Sequence, residues 1–429
     1  MKLLIKNGRV IDPKNGIDQQ LDIFVNNGLI KKIGENINLE NVDRVIDASG
    51  KIVCPGFIDI HVHLRDPGYQ YKEEIASGSR AAAAGGFTTI CCMPNTKPVI
   101  DNASVAAYVR QMAAKTAVVN VWPIGAITKN QGGEEITEMA DLIAAGCIAV
   151  SDDGKPVEKA ELMRNALEYA RMFHLPVLSH CEDRSLAADG QMHEGYFSTI
   201  YGFKGIPTAA EEVMVSRDII LAGLTGGHVH ICHISSKGTV DLIRKAKAQG
   251  INVTCEVTPH HLTLTDEAVG SYDTNTKVNP PLRSAEHIKA LLEGIKDGTI
   301  DCIATDHAPH ELESKDCEYN YASFGISGLE TAIPLIMSLV GKHFDLNKMV
   351  SLFTTGPASV MGLNKGSLEI GGAADITIID PKKSKTVDPG SFYSKGKNTP
   401  YAGRKLKGWP YMTIVNGKVK AEDGRIIEE

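Results

Sequence analysis

Apolar and β-branched residues gather in short runs along the middle of the chain, at 57–62, 87–92, 118–124, 147–150, 176–178, 228–234, 251–257 and 302–304. Each run has strand length and is nearly continuous rather than alternating, as in a sheet buried on both faces. Between them lie stretches rich in Ala, Glu, Lys and Leu, such as 73–84 and 241–248, which read as helices. Eight strands, each followed by a helix, predict an α/β fold of the (β/α)8 TIM-like barrel type. A doubly wound sheet is the runner-up, but no G-x-G-x-x-G turn follows an early strand.

The two ends have a different texture. Residues 3–10, 22–25, 29–33 and 44–46 read as short β-strands broken by Asn7-Gly8 and Asn27-Gly28, pairs that favour hairpin turns. The same texture returns at 374–379 and 411–419, with Asn416-Gly417 between strands. One small β-sandwich built from both termini, residues 1–54 with 366–429, is therefore expected around a barrel spanning 55–365. The polar and aromatic segment 311–323 follows the eighth strand and is read as a mobile lid.

Composition changes this picture little. With 429 residues, 43% hydrophobic and 23% charged, the chain reads as a soluble protein large enough for a barrel with an appendage. A net charge of −7 argues against a nucleic-acid partner, which would need a clustered basic surface. The apolar run Leu3-Leu4-Ile5 is too short for a signal peptide, and no stretch approaches the roughly 18 apolar residues of a membrane span. Most of the nine cysteines lie inside strand-like runs and none forms C-x-x-C, so they read as buried hydrophobes in a reducing cytoplasm.

Residues at the C-terminal ends of barrel strands make the active site of such a fold. Strand one ends Asp59-Ile60-His61-Val62-His63, and alternation places His61 and His63 on one face. Strand four ends Ser151-Asp152-Asp153, strand five Ser179-His180, strand six Cys232-His233 and strand eight Thr305-Asp306-His307. A lone histidine on an apolar strand is usually a packed one, but this many at corresponding ends is not chance. Imidazoles and carboxylates suit zinc at a catalytic site, and the set is large enough for two ions. Spacing alone does not separate Asp152 from Asp153. His228 and His230 begin strand six and read as packing residues, His260-His261 as structural or supporting, and His307 as pointing away from the mouth.

The stretches His61-Val62-His63-Leu64-Arg65-Asp66-Pro67-Gly68, Cys92-Met93-Pro94-Asn95-Thr96, Asn279-Pro280-Pro281-Leu282-Arg283 and Ala304-Thr305-Asp306-His307-Ala308-Pro309-His310 resemble motifs of the bacterial type I dihydroorotases of the amidohydrolase superfamily. The resemblance covers essentially the whole chain. It implies His61, His63 and Asp306 on one zinc, His180 and His233 on a second, and Asp153 bridging both. It further implies that His63, Arg65, Asn95, Asn279 and His310 hold the substrate, that His310 and Arg65 meet its carboxylate, and that Phe324-Gly325 approach its ring through backbone groups. Two departures stand out. Asp66 replaces the usual Glu, and strand four carries no lysine to be carboxylated, Lys155 lying past Gly154.

The activity implied is zinc-dependent, reversible closure of N-carbamoyl-L-aspartate to L-dihydroorotate, the third step of pyrimidine synthesis, with Asp306 as proton carrier. A homodimer and assembly with aspartate transcarbamoylase are the partners it suggests. An allantoinase- or dihydropyrimidinase-like cyclic amidohydrolase is the near rival, and Arg65 with His310 favours the anionic substrate. A non-catalytic scaffold of the same fold is the distant one, and it would be expected to lack ligands.

Overall fold

The computed structural model describes residues 1–427. Eight parallel strands stand at the apolar runs: Phe57–Val62, Phe87–Cys92, Asn120–Pro123, Val150–Ser151, Val177–Ser179, Val229–Ile231, Val253–Val257 and Cys302–Ile303. Strands one to three pair in sequence order, and so do strands four to eight. Single parallel bridges, Gly125 to Val150 and Val62 to His307, join the two segments and close the row into a ring. Some strands are shorter than their runs, 228–234 giving only Val229–Ile231, because the backbone turns to φ 32° at His233 although Cys232 and Ile234 still bond the neighbouring strands.

Side-chain alternation sorts two cores. Ile58, Cys91, Leu178, Cys232, Cys302 and Ala304 pack inside the ring, joined by Ala358 and Val360 of the helix Thr355–Val360. Phe57, Phe87, Ile90 and Val177 face outward into a larger core shared with the helices, where Ala81–Ala83 of Ile75–Ala84 and Val109 of Ala103–Thr116 are buried. Burial of each large apolar side chain contributes about 1.5–3 kcal/mol. The helices start and stop on recognisable signals. Asn102 accepts from the backbone N–H groups of Ser104 and Val105, Ser236 accepts from that of Thr239, and Gly226 ends Ala209–Thr225 in the left-handed conformation.

The chain ends meet, as expected. Lys2–Asp12 pairs with Ile17–Asn26 and with Ile52–Pro55, and the latter pairs with Ile376–Thr386, which leads on to Lys405–Val415 and Lys418–Glu422. All nine strands of this region belong to one hydrogen-bonded sheet. It has its own core, to which Leu3, Ile23, Val53, Ile376 and Ile414 contribute. Asn27-Gly28 and Asn416-Gly417 turn with positive φ at both residues, as two-residue hairpins require. Asn7-Gly8 does not turn the chain. It lies within Lys2–Asp12 as a bulge, with a register shift between Ile5 and Gly8, and glycine is needed there because Val53 Cγ2 would stand 2.5 Å from a Cβ at residue 8.

The segment expected to be a lid is tied to the loop before it. Lys315 is buried, and its ammonium donates to the carbonyls of Ser323 at 2.6 Å and Thr274 at 3.1 Å. Eight cysteines are buried, Cys317 is exposed, and all nine are free thiols. Among the described residues, no helix is long and apolar enough to cross a membrane.

Candidate active site

Strand one reaches the site through an irregularity. Asp59 pairs with Ile90 and Val62 with Cys92, so three steps on strand one oppose two on strand two. Such a bulge re-aims side chains. Ile60 packs inside the ring while His61 turns to the mouth, where its Nε2 lies 3.4 Å from Asp153 Oδ1 and 3.5 Å from Asp306 Oδ1. His63 Nε2 lies 3.1 Å from Asp306 Oδ1 and 3.4 Å from Asp153 Oδ2. From strands five and six, His180 Nδ1 and His233 Nε2 stand 3.6 and 3.5 Å from Asp153 Oδ1, and 2.9 Å from each other. One carboxylate thus faces four imidazoles contributed by three strands, and all of these groups are buried.

Tertiary structure separates the two aspartates that spacing left open. Asp152 turns toward residues 127–128, accepting from the backbone N–H of Ile127 at 2.8 Å and from the Thr128 hydroxyl. Asp153 alone meets the histidines. Lys155 is exposed and its backbone N–H bonds back to Asp152, so no lysine reaches the cluster. Backbone strain is concentrated here as well, with φ of 59° at Arg65, 32° at His233 and 47° at Asp306. Asp59 steadies the last of these, accepting the Thr305 hydroxyl at 2.6 Å.

A metal test can be made on the atoms themselves. His61 Nε2, Asp153 Oδ1, His180 Nε2 and His233 Nδ1 are buried with no hydrogen-bond partner. Ligand atoms of His61, His63 and Asp306 converge within 4.8 Å of one another, and so do those of His61, Asp153 and His233. Buried polar atoms are rarely left unmatched, so these residues fit a cation. The electrostatics agree. Burial opposes charge at Asp306, yet His61 and His63 outweigh it and bring its carboxyl down to about 2. At His180 burial is again outweighed, by Asp153 and Glu182, and the ring is raised to about 10. A positive ion at this point would replace the protons that the imidazoles otherwise hold.

Beside the cluster lies a cavity of about 240 Å3 whose wall includes Arg65, Asn95, Asn279, His310, Phe324 and Gly325. Asn95 Oδ1 accepts from His63 Nδ1–H at 2.9 Å, leaving His63 Nε2 for the metal side. Asn279 Nδ2 donates to Glu182 at 3.0 Å. Asp66 bonds Tyr108 and Gln70, not Arg65. His310 departs from its expected part in a charged clamp. Burial, with Arg65 and Lys72 nearby, brings it down to about 2, so the ring is neutral. Its Nε2–H donates to Phe324 O at 2.8 Å and its Nδ1 accepts from Lys72 at 3.3 Å. The Gly325 N–H is likewise engaged, by Lys277 O at 2.8 Å.

His260 is buried beside the cluster with its Nε2 unpartnered, while two other histidines turn elsewhere. His307 points away from the cluster, to Glu73 at 3.3 Å, and His261 bonds Thr258 and the Pro280 carbonyl. Sequence reasoning passed over Glu182, Lys72 and Glu256. Only Glu256 carried a local signal, as a lone carboxylate within the apolar run Val253–Val257.

Comparison with known proteins places this arrangement. The structure superposes on L-hydantoinase (dihydropyrimidinase) from Arthrobacter aurescens with a TM-score of 0.91 and 27% identity, covering 100% of this chain and 97% of that one. Fold and site together are those of a cyclic amidohydrolase. A Dihydro-orotase-like family model matches residues 50–239. The dihydroorotase of Pelotomaculum thermopropionicum is 56% identical over 99% of both chains, and that of Geobacter sp. strain M21 is 53% identical over 99% of this chain and 100% of its own. The chain belongs to the dihydroorotase family.

Proposed function

We propose that this protein interconverts N-carbamoyl-L-aspartate and L-dihydroorotate on a (β/α)8 barrel, residues 55–365, flanked by a β-sandwich made of both termini. The observation that carries the reading is a guanidinium, Arg65, in the same small cavity as the cluster of imidazoles and carboxylates. A cyclic amide bearing one carboxylate meets both needs, its carboxylate on Arg65 and its amide over the cluster. Charge-assisted hydrogen bonds of this kind are the strong ones, and Arg can make two at once. With His310 neutral, the positive charge of the clamp belongs to Arg65.

His61, His63, Asp153, His180, His233 and Asp306 would hold the metal, zinc by their nitrogen and oxygen donors and two ions by their number. When bound, it supplies Lewis-acid polarisation of the reacting carbonyl and a lowered pKa for the attacking water. Asp306 takes the proton that the water loses as its oxygen bonds to the ring carbonyl carbon. It then delivers that proton to the ring nitrogen as the carbon–nitrogen bond breaks. Ring closure runs the same path backward. Asn95 and Asn279 orient the ring, and neutral His310 fixes Phe324 at the cavity wall through its carbonyl.

The same reading carries a cytoplasmic homodimer, for which Val213, Ile220 and Leu224 on Ala209–Thr225 offer an exposed apolar stripe, and aspartate transcarbamoylase as a further partner. Ring opening of dihydroorotate, followed spectroscopically with and without a chelator and beside an uncharged cyclic imide, tests the activity. Chelator-sensitive turnover that prefers dihydroorotate is the expected result. Preference for the uncharged ring would favour a hydantoinase-like enzyme instead.

A further inference from the structure

Inside the ring, behind the site, a largely apolar filling is crossed by a polar line that the proposed reaction does not use. Glu256, on strand seven, is fully buried. Its Oε1 lies 2.6 Å from His61 Nδ1 and 3.3 Å from the backbone nitrogen of His233. Its Oε2 lies 3.2 Å from His230 Nε2. His230 Nδ1 is 2.8 Å from the Thr254 hydroxyl, which is 2.7 Å from His228 Nε2. The surroundings are apolar, with Cys232, Cys302 and Ile60 among them. None of Glu256, His230, Thr254 or His228 lines the cavity.

Hydrogen-bond capacity fixes the direction of every proton on this line. An ionised carboxylate only accepts. His61 therefore presents Nδ1–H to Glu256 and keeps the Nε2 lone pair for the front of the site. His230 presents Nε2–H to the other oxygen, so its Nδ1 accepts from the Thr254 hydroxyl, whose oxygen in turn accepts from His228 Nε2–H. Every donor points toward Glu256, and no imidazole on the line needs to be cationic to complete it. The carboxylate also grips the backbone of His233 at a residue held at φ 32°, where a non-glycine chain needs support.

We propose that Glu256 is a positioning residue for the metal centre. From behind, it fixes the tautomer and ring angle of His61 and the backbone of His233, two ligands on different strands, while His230 and Thr254 lock its own rotamer. The inference rests on the metal-dependent reading above. It differs from a merely structural network in what the loss of charge does. Removing one partner of a buried, hydrogen-bonded charged set lowers the stability of the metal-free protein whatever the set is for, so the thermal midpoint alone does not discriminate. Loss of a ligand-orienting carboxylate, in contrast, typically weakens metal binding by about 10–100-fold.

Glu256→Gln is nearly isosteric, and His230 can meet the new amide by exchanging tautomers. Full-length wild type and variant, both stripped with a chelator, would be titrated with Zn2+ against a competing indicator, and their metal-free thermal midpoints measured. A zinc dissociation constant raised about 10–100-fold is expected, measured below the metal-free midpoint so that both proteins are folded. With zinc saturating, KM for dihydroorotate should match the wild type, because Glu256 does not touch the cavity. Wild-type zinc affinity in the variant overturns the proposal, whatever its midpoint. If Glu256→Gln does not fold, Glu256→Asp is measured in the same way. It keeps the charge but draws it back from His61, so weakened zinc binding is again expected and wild-type affinity again overturns the proposal. A wild type that takes up no zinc overturns the metal-dependent reading itself, and this inference with it.

Discussion

Replacing Asp306 with Asn separates its proton chemistry from its place in the fold. The side chain is buried, with Oδ1 3.1 Å from His63 Nε2 and 3.5 Å from His61 Nε2. Asn has the same shape and keeps an oxygen there. The backbone at residue 306 has φ 47°, a region in which Asn is among the best tolerated non-glycine residues, so the strain does not grow. His61, Asp153, His180 and His233 remain to hold metal. What the variant loses is a carboxylate able to carry a proton, and such groups contribute about 10²–10⁴-fold to rate. At about 1.36 kcal/mol per tenfold, the barrier should rise by roughly 2.7–5.4 kcal/mol. The assay is steady-state turnover in both directions with zinc saturating, alongside bound zinc and circular dichroism on the same preparation. The fall should appear in kcat, with KM moving much less, since the proton moves only in the transition state. A folded, zinc-loaded variant with wild-type turnover would refute the reasoning.

Three further outcomes are expected. Arg65→Met should raise KM for dihydroorotate by about 10–100-fold, the equivalent of one charged hydrogen bond, and leave an uncharged cyclic imide almost unaffected. Equal losses on both substrates would make Arg65 structural. Stripping the metal should abolish turnover, and returning zinc should release protons measurable by pH-stat, because His180 is raised to about 10 in the metal-free cluster and must deprotonate to bind. Uptake without proton release would contradict that electrostatic picture. Lys315 is lowered by burial from 10.5 to about 7, so between those values the unfolded chain holds a proton that the fold does not. Stability of the wild type relative to Lys315→Met should therefore rise with pH across that window and be flat below it, which unfolding in denaturant at several pH values would reveal.

Strand identity and the general place of the chemistry were legible in the sequence, because both follow from local rules. Each apolar run of three to seven residues in the middle of this chain contributes a strand to the ring, and a ligand-type residue at its end lies near the mouth. His61, His63, His180, His233 and Asp306 were found that way. The segment Ser151-Asp152-Asp153 shows where such rules stop. Strand four is only Val150–Ser151, and which aspartate turns to the histidines depends on Thr128 and the N–H of Ile127 capturing the other, contacts some two dozen residues away along the chain. The Asn7-Gly8 pair failed for the same kind of reason, since what reads as a turn is a bulge within a strand whose partners, Ile17–Asn26 and Ile52–Pro55, lie further along the chain.

Charge states and supporting contacts lay further out of reach. His310 looks like a cationic partner for a carboxylate until the fold surrounds it with Arg65 and Lys72 and buries it, which leaves it neutral with both nitrogens engaged. Glu256 looks like an oddity in an apolar strand until closure of the ring sets it between His61 and His230. Where the strands fall along the chain and which chemical types gather at their ends could be read from the residues alone, since those depend on the period of side-chain alternation and on hydrophobicity. The tertiary structure alone decided which oxygen faces which nitrogen and which groups carry charge. Hydrogen bonds and pKa values act over a few ångströms in space, and the groups that meet at those distances are separated by up to a few hundred residues of chain.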